Sequence, residues 1–394
     1  MSINYILKRL LWALPTLFGV AVVVFVLVRV VPGDPIAMML PPGATQEDVG
    51  RLRASYGLDA PIAKQFLVWS GDVLRGNFGA SISLRDQVLP LILGRLPATL
   101  ELVAVAVAAA CVLATLLAVL GVYFRGRWPE LAVDGVTGFT LAIPDFLWGL
   151  IFILVLGVLV PVLPISGRVD PTGAFDPATG FYVIEALLTL QFAALADLLK
   201  HIVLPAVALA LPLAAALTRV LKGSLADAMN QDYVTLARVK GYSRLRTLWQ
   251  VALRNALIPT VTLTGVQFSF LIGGTVLIEH LFSYPGIGNL AIAAVIQRDL
   301  PLIQGLVLTF AVLFILTNLI VDMTYSALNP KVKQGCCRSS PGAIPGWHSA
   351  SWWYWRWRSP RPARPGCRRT TRSSRICSIP SRSPRGPVAI ARTH

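Results

Sequence analysis

Charge is scarce in this 394-residue chain: Asp, Glu, Lys and Arg make up 14% of it, against 55% hydrophobic residues. That balance disfavours a water-soluble globular domain and places the chain among membrane proteins. Cysteine is nearly missing before residue 336. The one there, Cys111, lies in an apolar run, where it packs as a small hydrophobe, so no disulfide or metal framework is implied. The chain has no Gly-x-x-x-x-Gly-Lys-Ser/Thr loop to cradle nucleotide phosphates, and no His-Glu-x-x-His or Gly-x-Ser-x-Gly. An ATPase site of that type is therefore absent, and a membrane-embedded enzyme finds no support. A secondary transporter would show paired intramembrane charges in two internal repeats, and only Asp145 partly fits.

The net charge of +16 is unevenly spread. Residues 336–394 hold twelve Arg and no Lys, Asp or Glu, together with four of the five cysteines and five of the ten tryptophans. Only +4 is left for the rest, so the basic balance does not mark the body of the chain as a nucleic-acid binder.

Apolar runs are what this sequence has in abundance. Crossing a hydrocarbon core of about 30 Å takes around 20 helical residues. Residues 10–28, 98–124, 131–164, 201–220, 259–278 and 301–321 qualify, with charges confined to Glu101, Asp134, Asp145 and span ends. The expected fold is an all-α membrane protein with six transmembrane helices. The first helix is retained, because its core is too long for a signal peptide and Pro32-Gly33-Asp34-Pro35 is no small-residue cleavage site. With six spans, Lys8, Arg9, Arg125, Arg127, the basic residues between Lys222 and Arg254, Lys331 and Lys333 all share one side, the cytoplasm, as do both termini. Residues 181–198 are interrupted by Glu185 and Asp197 and are expected as an interfacial or re-entrant helix.

The cytoplasmic loop 223–258 is patterned as two helices. Ser224 caps the first, which runs to Lys240; Gly241 stops it; a second starts near Ser243, with Leu245, Leu248, Trp249 and Ala252 on one face and Arg246, Gln250 and Arg254 on another. The alternative is a solvated basic loop against anionic lipid.

From Asp232, "DYVTLARVKGYSRLRTLWQVALRNALIP" resembles the coupling motif of the integral membrane permeases of bacterial ABC importers for dipeptides, oligopeptides and nickel. The motif's general form is Glu-Ala-Ala, three residues, Gly, nine residues, Ile-x-Leu-Pro. Aligned on Gly241, Ala237 falls on its second Ala, Val251 on its Ile and Leu253 on its Leu, while Thr235, Leu236 and Arg254 replace the Glu, the first Ala and the Pro. Ala237-Arg238-x-Lys240-Gly241 and Arg254-Asn255-Ala256-Leu257-Ile258-Pro259 are similar to the peptide-permease version. "VPGDP" from Val31, "YGLDAPIAKQFLVW" from Tyr56, "RGNFGASI" from Arg75, "RLPATLEL" from Arg95, "FSYPGIGNL" from Phe282 and "RDLPLIQG" from Arg298 keep the family's order as far as about Lys333.

The resemblance implies a type I importer permease fold in the bacterial inner membrane. It implies a homologous second permease, two cytoplasmic ATPase subunits that bind the ATP, an extracytoplasmic solute-binding protein and a di- or oligopeptide cargo, with nickel chelates or glutathione as alternatives. The implied organisation is an N-terminal helix (1–31), an extracytoplasmic segment (32–96), a five-helix core (97–333) and an Arg-rich tail (335–394). Asp145, about 21 Å along helix three at 1.5 Å per residue, either lines the pathway or satisfies backbone groups freed at Pro144. Glu279 and His280 are expected near the outer face, as a gate or docking contact or as simple interfacial groups. Arg29 and Arg219 are expected to snorkel, and Asn318 to act as interhelical glue.

The tail 335–394, which begins "GCCRSSPGAIPGWHSASWWYWRWRSPRPARPG", has no acid, no Lys and no sustained period. Arg, Pro, Ser, Gly, Cys and Trp are what GC-rich codons yield out of frame, so a frameshift product or sequencing error is expected rather than an arm for lipid or nucleic acid. Deleting residues 335–394 should leave membrane insertion, complex assembly and uptake at full-length levels; loss of any of them would make the tail a working part.

Overall fold

A computed structural model describes residues 3–30, 61–170, 177 and 179–328. The "VPGDP" segment, the start of "YGLDAP", Lys331, Lys333 and the tail lie outside the described residues, as does the Arg29 side chain. Apart from an isolated antiparallel bridge between Ala80 and Gln87, the regular elements among the described residues are helical. They are α1 (Ile3–Val30), α2 (Ile62–Leu74), α3 (Val88–Tyr123), α4 (Trp128–Ala142), α5 (Asp145–Phe152, continued by a π-helical stretch Ile153–Leu159) and α6 (Tyr182–Leu188). Then come α7 (Phe192–Ala228), α8 (Asp232–Val239), α9 (Arg244–Arg246, continued by π-helical Thr247–Ala252), α10 (Leu253–Leu281), α11 (Ile287–Ile296) and α12 (Leu300–Leu328).

Four helices are long and apolar enough to cross a membrane: α3, α7, the continuous helix Arg244–Leu281 and α12. α4 and α5 form a fifth span if the bent pair is taken as one. In α1 the apolar stretch Leu11–Val26 is shorter. The single helix expected over 131–164 is therefore corrected to two helices meeting at 99°. Pro144 causes the break, because it pushes the preceding Ile143 into extended backbone, φ −102° and ψ 124°. The fourth helix is also longer than expected. α7 begins at Phe192 and takes over the end of the segment expected to lie at the interface, whose first part is the short α6.

Packing centres on α3 and α7, the helix pair in most extensive contact. Ala98, Leu102, Ala106, Ala110, Ala114 and Ala118 recur every four residues along α3, and all are buried. α7 answers with Ala206, Ala210, Ala214 and Leu217. Residues four apart share one helical face, and small ones let two backbones close up where lipid provides no hydrophobic drive. The other face of α3 carries Val112, Leu116 and Leu120, all exposed and apolar, as a lipid-facing surface must be. α10 packs on α7 and α12, with Ser269 donating to Asn318 Oδ1 at 3.1 Å across the α10–α12 contact. α1 leans on α12, where Arg9 pairs with Asp322.

Ala114→Leu should overpack the seam at a cost of about 1–3 kcal/mol, read as a lower melting temperature and less assembled complex in detergent. Leu116→Ala, at a side chain 52% exposed, should change neither; equal effects of the two would contradict this seam.

Candidate functional site

At one end of the seam the segment 223–258 folds as a hairpin, differently from its expected boundaries. α7 runs through Gly223 and Ser224 without a break, so Ser224 caps nothing. The reason is packing: Leu221, Leu225 and Ala228 extend the buried stripe of α7, and that burial outweighs a glycine cost of about 1 kcal/mol. The first loop helix begins instead at Asp232, after a turn at Met229–Gln231. It ends in a Schellman motif, with Tyr242 N donating to Ala237 O at 3.2 Å and Gly241 N to Arg238 O at 2.9 Å. Gly241 has φ +84°, where a side chain would be strained. Ser243 then caps the next helix, its Oγ accepting from Arg246 N at 3.3 Å, and that helix continues into α10 through Pro259.

The structure separates the motif residues into two groups. Ala237 and Leu253 are buried, and Leu253 packs with Val234, Leu248, Ala252 and Ala256 against Val119, Val122 and Leu221. These fix the hairpin to the bundle. Arg238, Lys240, Gly241, Arg254, Asn255 and Pro259 are exposed, and Val251 is half-buried. The helical face expected from Leu245, Leu248, Trp249 and Ala252 is split in the same way, with Leu248 and Ala252 inside and Leu245 and Trp249 outside. Leu236 and Val239 are 55% and 81% exposed. The sequence pattern missed this pair, although Leu236 was visible as a departure from the motif.

At the opposite end of the seam, Glu279 has no exposed surface. Of the two expectations for Glu279, this burial goes against simple interfacial solvation: the turn after α10 folds back over the carboxylate and seals it in. Thr99 Oγ1 donates to Glu279 at 2.6 Å, Gly288 N at 2.7 Å and Asn289 N at 3.1 Å, while Ile287 N donates to Thr99 Oγ1 at 2.9 Å. A buried carboxylate is tolerated only with such donors. His280 stays exposed, with Nδ1 3.1 Å from Asn289 Oδ1. Two residues further along α3, Glu101 forms a buried ion pair with Arg168 at 2.6 Å and accepts from Val183 N at 2.9 Å; Arg168 also lies 3.8 Å from the centre of the Tyr182 ring. Asp299 takes Ser81 Oγ at 2.5 Å and Ser83 Oγ at 2.7 Å, and it accepts from Leu302 N at 3.2 Å at the start of α12. Burial pushes its carboxyl up, but these donors outweigh burial and hold it below the usual range.

Sequence segments that are far apart along the chain are thus joined in space. "RLPATLEL" meets "FSYPGIGNL" through Thr99 and Glu279, and "RGNFGASI" meets "RDLPLIQG" through Ser81 and Asp299. Sequence reasoning singled out neither Thr99, Arg168 nor Asp299 as a partner. For Thr99 and Asp299 the signal available was their place inside those segments. Asp145 stands half-buried at the first position of α5, its Oδ1 accepting from Phe146 N at 2.8 Å. Arg219 is exposed near the hairpin end of α7. Among the described residues no group of His, Cys, Asp and Glu could hold a metal ion.

The family model described as binding-protein-dependent transport system inner membrane component matches residues 106–334, and its N-terminal companion matches residues 2–103. The chain is similar to the di/tripeptide transport system permease protein of Pseudomonas aeruginosa, with 37% identity over 84% of this chain and 99% of that protein. It is 36% identical to the oligopeptide transport system permease protein of Bacillus subtilis and 34% identical to the glutathione transport system permease protein of Escherichia coli K12, each match covering 84% of this chain and 99% of the relative.

A Cβ on Gly288 would lie 2.6 Å from Val276 Cα, a backbone atom that cannot step aside. Gly288→Ala should therefore lower the melting temperature and yield of the complex, by overpacking worth about 1–3 kcal/mol. Gly273→Ala, on α10, has open space and should not. Matching melting curves for the two would show that the turn is not held as described.

Proposed function

The chain belongs to the inner membrane components of binding-protein-dependent transport systems, and we propose that within that family it forms, with a homologous second subunit, the pathway for di- or oligopeptides. It is a permease subunit of an ATP-driven importer, not an enzyme. The substrates that name its relatives support a peptide cargo, with glutathione or a nickel chelate as narrower alternatives. No nucleic acid takes part. Six spans result if α4 and α5 cross once as a bent pair and α1 crosses through Leu11–Val26, and the Lys and Arg distribution then puts the hairpin and both termini in the cytoplasm. Beyond both matched ranges, the tail from about Gly335 is read as a frameshift product.

One observation carries the mechanism. The hairpin projects Leu236, Val239, Leu245 and Trp249 outward beside Arg238, Lys240 and Arg254, while its inner residues lock it to α3, α7 and α10. An apolar patch with a basic rim, on an element too firmly packed to move alone, suits a groove on an ATPase subunit. Two such subunits bind the ATP, and their closure pushes the hairpin. Because the hairpin runs without a break into α10, displacement passes directly to a span and to the turn that Glu279 holds at its far end. The solute-binding protein delivers cargo at that far end. Nucleotide shifts inward-open to outward-open only by preferring one state, and a swing from 1:99 to 99:1 takes about 5.5 kcal/mol.

Leu236→Asp combined with Val239→Asp should leave insertion intact, weaken ATPase-subunit capture at least about 30-fold, as expected for hot-spot contacts of about 2 kcal/mol, and abolish substrate-stimulated hydrolysis. Ala237→Asp should also reduce the amount of folded permease, because its side chain is only 7% exposed. Wild-type capture and stimulation in the double variant would overturn the docking assignment. The ligand copurifying with the cognate binding protein identifies the cargo, and a non-peptide ligand there would overturn the substrate reading.

A further inference from the structure

Beside the hairpin, at the corner between α3 and α4, a cavity of 340 Å³ is lined by Arg125, Glu130, Asp134, Arg219 and Lys222 among others. Its acids are already satisfied. Lys222 Nζ lies 2.7 Å from both oxygens of Asp134 and 3.0 Å from Glu130 Oε1, and the second oxygen of Glu130 accepts from Gly126 N at 2.7 Å. Two carboxylates against three cations leave one net positive charge in the lining. Among the described residues neither the Arg125 nor the Arg219 guanidinium makes a hydrogen bond or a close ion pair, although Arg125 also attracts Glu130 electrostatically. Both line the same cavity from different elements, the loop after α3 and the last third of α7.

The surroundings indicate what such a site meets. Trp128, 78% exposed, opens the same helix α4 that lines the cavity with Glu130 and Asp134, and Leu131 and Phe139 continue an exposed apolar face from it. Tryptophan favours the headgroup level of a bilayer, with hydrocarbon against the aliphatic residues beyond. Two guanidinia with free N–H groups present forked donors that match the oxygens of a phosphate group.

We propose that this cavity binds a phosphate group, carried by an anionic phospholipid headgroup of the cytoplasmic leaflet, with Arg125 and Arg219 as its ligands. The lipid's acyl chains lie along the exposed face of α4. Lys222 pairs with both Glu130 and Asp134 and so lessens their repulsion of the anion. The leaflet assignment rests on the orientation given under Proposed function; recognition of phosphate by the two arginines does not.

The test is native mass spectrometry of the complete transport complex in detergent, with phosphatidylglycerol or phosphatidylcholine added at matched concentrations. Wild-type complex should retain phosphatidylglycerol over phosphatidylcholine. R125A/R219A should weaken that retention about 25-fold, each arginine near an anionic headgroup counting for about a factor of five, and Lys at both positions should restore most of it. If R125A/R219A fails to assemble, R219E alone must lower retention, because that side chain is exposed. Displacement of the lipid by millimolar inorganic phosphate would support the phosphate site and assign it to the free anion. Equal retention of the two lipids by wild type, or unchanged retention in the variants, overturns the proposal. Lipid retention is read without cargo or ATP, so a failed peptide-uptake assay and a failed lipid assay are separate results.

Discussion

Alanines four residues apart bring the α3 backbone against α7, and the rest of the bundle is arranged on that close contact. In hydrocarbon neither helix gains by hiding leucines from lipid, so the stability of the pair comes from dispersion at short range, which large side chains would prevent. The consequence is a stiff axis with a task at each end. One end carries the apolar bed, Val119, Val122, Leu221 and Leu225, on which the hairpin rests. The other carries Thr99 and Glu101, which reach into two different connecting segments.

The polar groups at that far end reflect the same scarcity of water. A carboxylate without solvent needs donors, and Glu279 recruits them from the Gly286–Asn289 turn and from α3. Removing one partner of a buried pair such as Glu101–Arg168 costs far more than the pair contributes as a whole, because an uncompensated charge is left behind. These contacts therefore constrain how α10 and its turn can move. A displacement begun at the hairpin reaches them through one uninterrupted helix.

The α4–α5 pair shows where regular helix is interrupted. A bend of 99° at Pro144 puts Asp145, half-buried, at the start of α5. Irregular backbone at membrane depth survives only where protein or water meets its polar groups, and Asp145 supplies one acceptor, to Phe146 N.

The sequence by itself determined the class of protein, the position of most of the long apolar helices, the hairpin with its Gly241 elbow and a helix start near Ser243, and the order of the family's segments. Each of these depends on short-range chemistry: apolar run length, backbone freedom at one residue, side-chain capping. Tertiary structure decided what depends on neighbours far along the chain. Ser224 lost its capping role because Leu225 and Ala228 found a bed on α3. Ala237 turned inward and Leu236 outward because only one face of α8 could meet the bundle. Glu279 became buried because the turn just beyond it folded back onto it, and Thr99, 180 positions away, became its donor. Residue type and spacing hold no record of such pairings, since they arise only when separate helices close on one another.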